Sequence, residues 1–322
     1  MKNVRRQLLP WLITAGALGY VFGYAIDWAA IPAATERANL PLFIGITVFD
    51  KIAFFLFWGF IQAGVIRKFI ERVPVRDVLQ IKGGAELVRT VNNGLADAAF
   101  LYGLSLLVPG RLAAVVMAST IPFACHFGVL LLQATVSLWL LPGGVSENAD
   151  VATAVALGWS LVATSLIAGH FGVWKRLIST LGLGTWVGRV RLREVLPFVG
   201  WFVLFAVFDV TIQGLASRSF GVPIPWLALT ARLPILYVAI SIPSLGNFGT
   251  REIAWANLFE GYGEDAALYA FALWTNVIFL VMHALIGALF FSRAITLVRG
   301  VRQARQEGEE IRRPLLRDAA DR

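Results

Sequence analysis

The chain has 322 residues, of which 58% are apolar and only 15% charged, with a formal net charge of +8. No long polar stretch is left to build a large soluble domain, so the composition points to one all-α integral-membrane domain. The basic residues fall between apolar runs and at the ends; this fits cytoplasmic loops beside anionic lipid and not nucleic-acid binding, which needs an exposed basic face on a folded module.

The first apolar run, about Leu8 to Ile26, follows Lys2, Arg5 and Arg6. It reads as an uncleaved span and not as a signal peptide, because it continues through Tyr20, Phe22 and Tyr24. A second span lies within Leu40 to Ile66, interrupted by Asp50 and Lys51. Adjacent residues sit about 100° apart on a helix. Either the membrane part starts near Asp50 or one of the two points into the bundle, and an interfacial pair is the plainer reading. Arg67, Lys68, Arg72 and Arg76 then mark a cytoplasmic loop, which puts the N-terminus on the same side.

The stretch Asp77 to Val108 is too polar in its first half for a simple span, since Lys82, Glu86, Arg89, Asn92 and Asn93 fall there. Asn93-Gly94 signals a turn, and Leu95 to Val108 is apolar but short and holds Asp97. A strong span follows from about Leu112 to Leu140, with a kink expected at Pro122. It contains Cys125, the one cysteine, which excludes an intrachain disulfide and a multi-cysteine metal site and reads as a small buried residue. The loop Pro142 to Asp150 carries Glu147 and Asp150 and no base, so it reads as external.

Another span covers Val151 to about Ala168. Lys175, Arg176, Arg189, Arg191 and Arg193 mark a cytoplasmic segment, in which Trp174, Leu177, Ile178 and Leu181 at helical spacing predict a short interfacial helix. Val195 to Leu215 spans again and holds Asp209. After a short outer loop, Arg218 to Pro225, the run Trp226 to Pro243 is apolar save for Arg232. A turn and a polar-flecked helix lead to Gly261-Tyr262-Gly263, and the last span is about Ala266 to Phe291. Residues 293–322 form a basic cytoplasmic tail, read as a helix fraying into disorder.

If every apolar block crossed once, the acidic loop at Glu147 would lie inside and the basic segment at Arg189 outside, against the charge rule. Letting Asp77–Val108 and Trp226–Gly263 each dip in and return repairs every assignment. The expected architecture is therefore about six full spans plus two re-entrant helical hairpins, in an inverted repeat of halves 1–141 and 142–292. Both termini are expected in the cytoplasm. The bland reading is one tilted ordinary span and a single breach of the charge rule.

The hairpin tips carry the chemistry. In the second, Gly246 and Gly249 allow a tight turn, Asn247 lies between them, and a helix can start near Thr250 with Arg251 and Glu252 in its first turn. A helix N-terminus presents free N–H groups and the positive end of the dipole, and arginine suits a phosphate. Arg251, Glu252, Gly246, Asn247 and Gly249, with Glu86 and Arg89 in the first hairpin and Arg232, are the candidate substrate-binding residues. Glu252 either orients Arg251 or meets a cationic group. The structural reading is that these Arg–Glu pairs merely clip the hairpins together. Asp209 and Asp97 are lone acids in apolar helices, either proton carriers or hydrogen-bond partners of a neighbouring helix. His126, His170 and His283 are too scattered for a metal site and read as core or interfacial residues. No metal or other cofactor is expected, and no His-Glu-x-x-His, P-loop or serine-nucleophile motif is present.

Ile242-Pro243-Ser244-Leu245-Gly246-Asn247-Phe248-Gly249-Thr250-Arg251-Glu252 resembles the Pro-x-Ser…Gly-x-x-Gly-x-Arg-Glu signature of the lysylphosphatidylglycerol synthase transmembrane-region, or flippase-like, family. Gly84-x-Glu86-x-x-Arg89 is similar to that family's first-half element. The chain departs from the pattern at Asn247 and Ile253, where glycines are common, and lacks a proline just before Gly83. The resemblance implies a stand-alone flippase-like protein without the soluble aminoacyl-transferase domain, and so not an enzyme. It would move a charged-headgroup lipid, of anionic, aminoacylated or polyprenyl-phosphate type, across the inner membrane. The rival reading is a non-transporting accessory subunit that docks a lipid- or glycan-modifying enzyme at the cytoplasmic face.

Overall fold

In an apolar solvent the backbone closes its hydrogen bonds within the segment, which leaves helices and closed barrels. The computed structural model describes residues 27–108, 112–180, 191–241 and 248–320 together with Gly16, Gly19 and Gly23, and every regular element among them is helical. Five described helices are long and apolar enough to cross a membrane: α2 (Leu40–Phe69), α5 (Leu112–Leu140, apolar from Ala113), α7 (Ala149–His170), α9 (Leu192–Ser219) and the first part, Asp265–Leu297, of α12 (Asp265–Ala320). The first expected span, Leu8 to Ile26, lies outside the described residues apart from its three glycines. Large apolar side chains stay exposed on these helices, among them Leu157, Leu161 and Leu166 on α7 and Leu204 and Val207 on α9. Such a surface belongs against lipid, and the fold is that of an all-α polytopic membrane protein.

Shorter helices complete the set: α1 (Ala30–Glu36), α3 (Val75–Arg89), α4 (Asn93–Leu107), α6 (Gly144–Glu147), α8 (Val173–Thr180), α10 (Trp226–Ile240) and α11 (Thr250–Leu258). Pro122 sits inside α5 without ending it. A short helix is present where one was expected, α8, with Trp174 donating its indole N–H to the Ser165 carbonyl at 2.8 Å; Leu181 lies outside the described residues. The expected fraying of the tail is not seen among the described residues, because α12 stays helical to Ala320.

The chain divides into two compact units. The first comprises Met1–Phe57 and Thr120–Met282. Its core is aromatic: Phe43 meets Phe220 edge-on at 5.0 Å between centroids, and Trp255 meets Phe271 at 4.7 Å. Phe57 stacks on Phe205 at 4.2 Å, tying α2 to α9, while Ala134, Leu138, Val151, Val155 and Ala231 pack α5, α7 and α10 together.

The second unit comprises Trp58–Ser119 and His283–Arg322. Here α3 and α4 form an antiparallel hairpin. Gly103 lies against Ile81, Lys82 faces the Phe100 ring and Arg89 pairs with Asp97, so partners pair in reverse order along the two helices. The turn between them is Thr90–Asn92, and the Asn92 side chain caps α4 by accepting the Leu95 N–H at 3.0 Å. The Gly84–Arg89 stretch, read from sequence as the tip, therefore lies on the last turns of α3. Its glycines serve close helix packing instead. A Cβ on Gly287 of α12 would stand 2.6 Å from the backbone nitrogen of Leu87, so only glycine lets the two helices approach this closely.

Candidate functional site

The start of α11 is built around Gly249 and Glu252. Gly249 adopts φ +85°, a left-handed conformation that strains any residue with a Cβ. Its amide donates to Glu252 Oε2 at 2.7 Å, and Glu252 Oε1 accepts from Asn276 Nδ2 of α12 at 2.6 Å. Glu252 is fully buried. Both its oxygens are thus engaged in capping α11 and holding it to α12, and neither accepts from Arg251. Gly246 and Asn247 lie outside the described residues.

Arg251 is differently placed. It is 7% exposed, and its Nε has no hydrogen-bond partner. Its guanidinium lies 4.8 Å from the centre of the Phe279 ring, and the Lys51 ammonium approaches that ring at 5.8 Å. Among the described residues Arg251 forms no ion pair, although it feels the charges of Glu252 and Asp50. A buried guanidinium without a bound carboxylate is costly in a low-dielectric setting unless something else meets it.

Polar groups from four helices gather around it. Asp50 and Lys51 are 5% and 6% exposed, so neither is interfacial. Both turn inward, and their 100° separation lets Asp50 reach α9 while the long lysine side chain reaches α12. Asp50 Oδ2 accepts from Gln213 Nε2 at 3.2 Å, and Asp209 Oδ2 accepts from the Tyr237 hydroxyl of α10 at 2.6 Å. His126 of α5 stacks on Phe202 and lies 6.2 Å from the Tyr237 ring.

In the second unit the charges compensate one another. Glu86, 2% exposed, sits 3.7 Å from Lys82 Nζ, 3.4 Å from Arg89 Nε and 2.6 Å from His283 Nδ1. Arg89 also holds Asp97 at 2.5 Å and approaches Asn93 Oδ1 at 3.5 Å. Two cations meet two carboxylates, with His283 as a further partner. Arg89 is already committed to protein carboxylates, which is the geometry of a structural clip.

Arg232 belongs to a third arrangement. Its Nε donates to Asp150 at 3.0 Å and one terminal nitrogen to Asn148 Oδ1 at 3.3 Å, while Nη1 is buried without a partner. Asn148 in turn donates to the carbonyls of Pro142 and Gly144, so Arg232 anchors the loop between α5 and α7. Arg232 and Tyr237 lie five residues apart, about 140° around α10, and so serve different faces.

The structure thus brings Arg251, Glu252 and Asp209 into one cluster and Arg89, Glu86 and Asp97 into another. Sequence reasoning missed Asp50, Lys51, Gln213, Tyr237 and Asn276 around Arg251, and Lys82 and His283 around Glu86. Each is a polar residue whose spacing in the sequence marks interest but names no partner. Cys125 is buried as expected. No cluster of potential metal ligands occurs among the described residues. Comparisons with family models, curated proteins and solved structures find no match to this chain.

Proposed function

We propose that this chain is a flippase-like lipid transporter of the inner membrane, in which Arg251 receives the phosphate of an anionic headgroup. The observation that carries this reading is a guanidinium more than nine-tenths buried, free of ion pairs among the described residues, in the first turn of a helix. The helix N-terminus and the planar cation favour the same ligand, an oxyanion. Acyl tails would remain in the bilayer against the exposed leucine and valine faces.

The hairpin topology is part of the proposal. Helices α3 and α4 have 15 residues each, about 22 Å at the helical rise, and α11 has 9, about 14 Å. Each is shorter than the roughly 30 Å hydrocarbon core, so each pair is read as entering and returning on one side. With the positive-inside rule this puts both termini in the cytoplasm and yields the inverted repeat. The motif around Arg251 and its resemblance to the flippase-like family support the same reading. Arg89 and Glu86 take a framework role here, as does Glu252.

The test is reconstitution in liposomes with labelled phosphatidylglycerol, lysylphosphatidylglycerol and a polyprenyl phosphate. Wild type should exchange at least one of them between leaflets, and a folded Arg251→Ala protein should do so at least about tenfold more slowly, the loss of one charge-assisted phosphate contact. Equal rates in the two proteins, or no movement of any of the three lipids, would count against the proposal.

A further inference from the structure

The cluster around Arg251 does not balance its own charge. Asp50, Asp209 and Glu252 supply three carboxylates, while Lys51 and Arg251 supply two cations, and all five are buried. Fully ionised, the cluster carries one uncompensated negative charge. Among the described residues, the other elements packed on it add no cation to offset this. Helix α10 contributes the Tyr237 phenol, α5 contributes His126 held against aromatic rings, and α12 contributes the neutral Thr275 and Asn276. An anionic headgroup arriving at Arg251 would add a second negative charge to an already negative site.

The hydrogen bonding shows where this charge can be taken up. Asp209 and Gln213 are four residues apart on α9, on one face. Gln213 donates Nε2 to Asp50 Oδ2 at 3.2 Å, so Asp50 of α2 meets α9 one helical turn from Asp209. Asp209 has a donor in Tyr237 at 2.6 Å. Asp50 receives only the Gln213 bond among the described residues, although an ionised carboxylate can accept about four. Two buried carboxyl groups sharing one site do not both ionise readily, and they titrate as a pair.

We infer that Asp50 and Asp209 form a proton-carrying pair that loads a proton as the anionic headgroup meets Arg251 and releases it when the headgroup leaves. This deepens the transport reading and rests on it. The pair holds one proton when the site is empty of lipid and two when it is filled. The second proton passes from water on the loading side to a carboxylate oxygen, making a neutral acid, and returns to water on the other side. A singly charged lipid and its proton cross together without net charge, so the pH difference, and not the membrane potential, drives the movement. Asp97 takes no part, being bound to Arg89 in the second unit.

Two measurements test this. The first follows the carbonyl stretch of protonated carboxyl groups by infrared spectroscopy, on the full chain in phosphatidylcholine nanodiscs titrated between about pH 5 and pH 9. Wild type should show a buried protonated carboxyl at neutral pH, and both Asp50→Asn and Asp209→Asn should lose at least about half of that band. Glu264→Gln, at an exposed ion pair, should leave it unchanged. A band absent from wild type, or present unaltered in both Asn variants, overturns the inference. The second imposes a pH gradient of one unit on the proteoliposomes described above. The equilibrium distribution of the transported lipid should shift about tenfold in wild type, one proton per lipid, and not in Asp50→Asn. Lipid movement that ignores the gradient overturns the proton coupling while leaving the transport reading intact. A carboxyl band that behaves as expected in a protein that moves no lipid refutes the transport reading and leaves the proton pair standing.

Discussion

Replacing Glu86 with alanine removes a carboxylate on which Lys82, Arg89 and His283 converge. Arg89 keeps Asp97, while Lys82, its side chain 11% exposed, gives up its ion pair with Glu86. Breaking a buried ion pair by deleting one partner costs about 3–5 kcal/mol, because the other charge stays behind in a poor solvent. The exposed pair Arg37–Glu264, with side chains 68% and 71% exposed and Nη1 3.1 Å from Oε2, supplies the control. Its loss in Glu264→Ala should cost no more than about 1 kcal/mol. Both variants can be unfolded with denaturing detergent while tryptophan fluorescence is followed. A Glu86→Ala protein within about 1 kcal/mol of wild type, or no weaker than Glu264→Ala, would refute the view of Glu86 as the keystone of the second unit. The double variant Lys82→Met/Glu86→Leu should recover much of the loss, since it removes both charges and keeps the volume.

Other predictions follow from the same geometry. Gly287→Ala puts a methyl against the Leu87 backbone, which cannot swing away, and should cost about 1–3 kcal/mol in the same unfolding assay; a neutral effect would show that α3 and α12 are looser than described. Glu252→Ala frees the Gly249 amide and Asn276 together and should cost about 2–4 kcal/mol, whereas Glu252→Gln, which keeps an acceptor, should lose about half as much. Equal losses in the two would show that the charge, and not the hydrogen bonds, is what α11 needs. Tyr237→Phe removes the donor to Asp209 and should lower stability by about 0.5–3 kcal/mol, the range from a neutral to a charge-assisted hydrogen bond; no loss would show that this bond does not hold α10 to α9.

The spans were legible because twenty apolar residues in a row have few alternatives. The expected runs Leu112–Leu140 and Val195–Leu215 reappear in α5 and α9, the latter a turn longer at its C-terminal end. The Arg251 motif was legible because glycine and charge are rare in such surroundings. What adjacency in sequence could not give was direction. Arg251 and Glu252 are neighbours, yet Glu252 turns back to cap its own helix and Arg251 turns to Phe279. Asp50 and Lys51 looked interfacial because two charges in one span are expensive, and their cost is met by groups on α9 and α12 whose positions a sequence does not encode. Gly83 and Gly84 serve close packing on α12, where a Cβ on either would meet Phe290 or Ala294, and a sequence does not name that partner.

The central claim is that Arg251 is buried to meet a lipid phosphate. Mass spectrometry of the intact protein, ejected from mild detergent with its bound lipids, tests this most directly. The account predicts that wild type retains one lipid with an anionic headgroup, that Arg251→Ala loses it, and that Arg37→Ala, at the exposed pair, keeps it. The same lipid retained by wild type and Arg251→Ala alike, or none retained by wild type, would contradict the account.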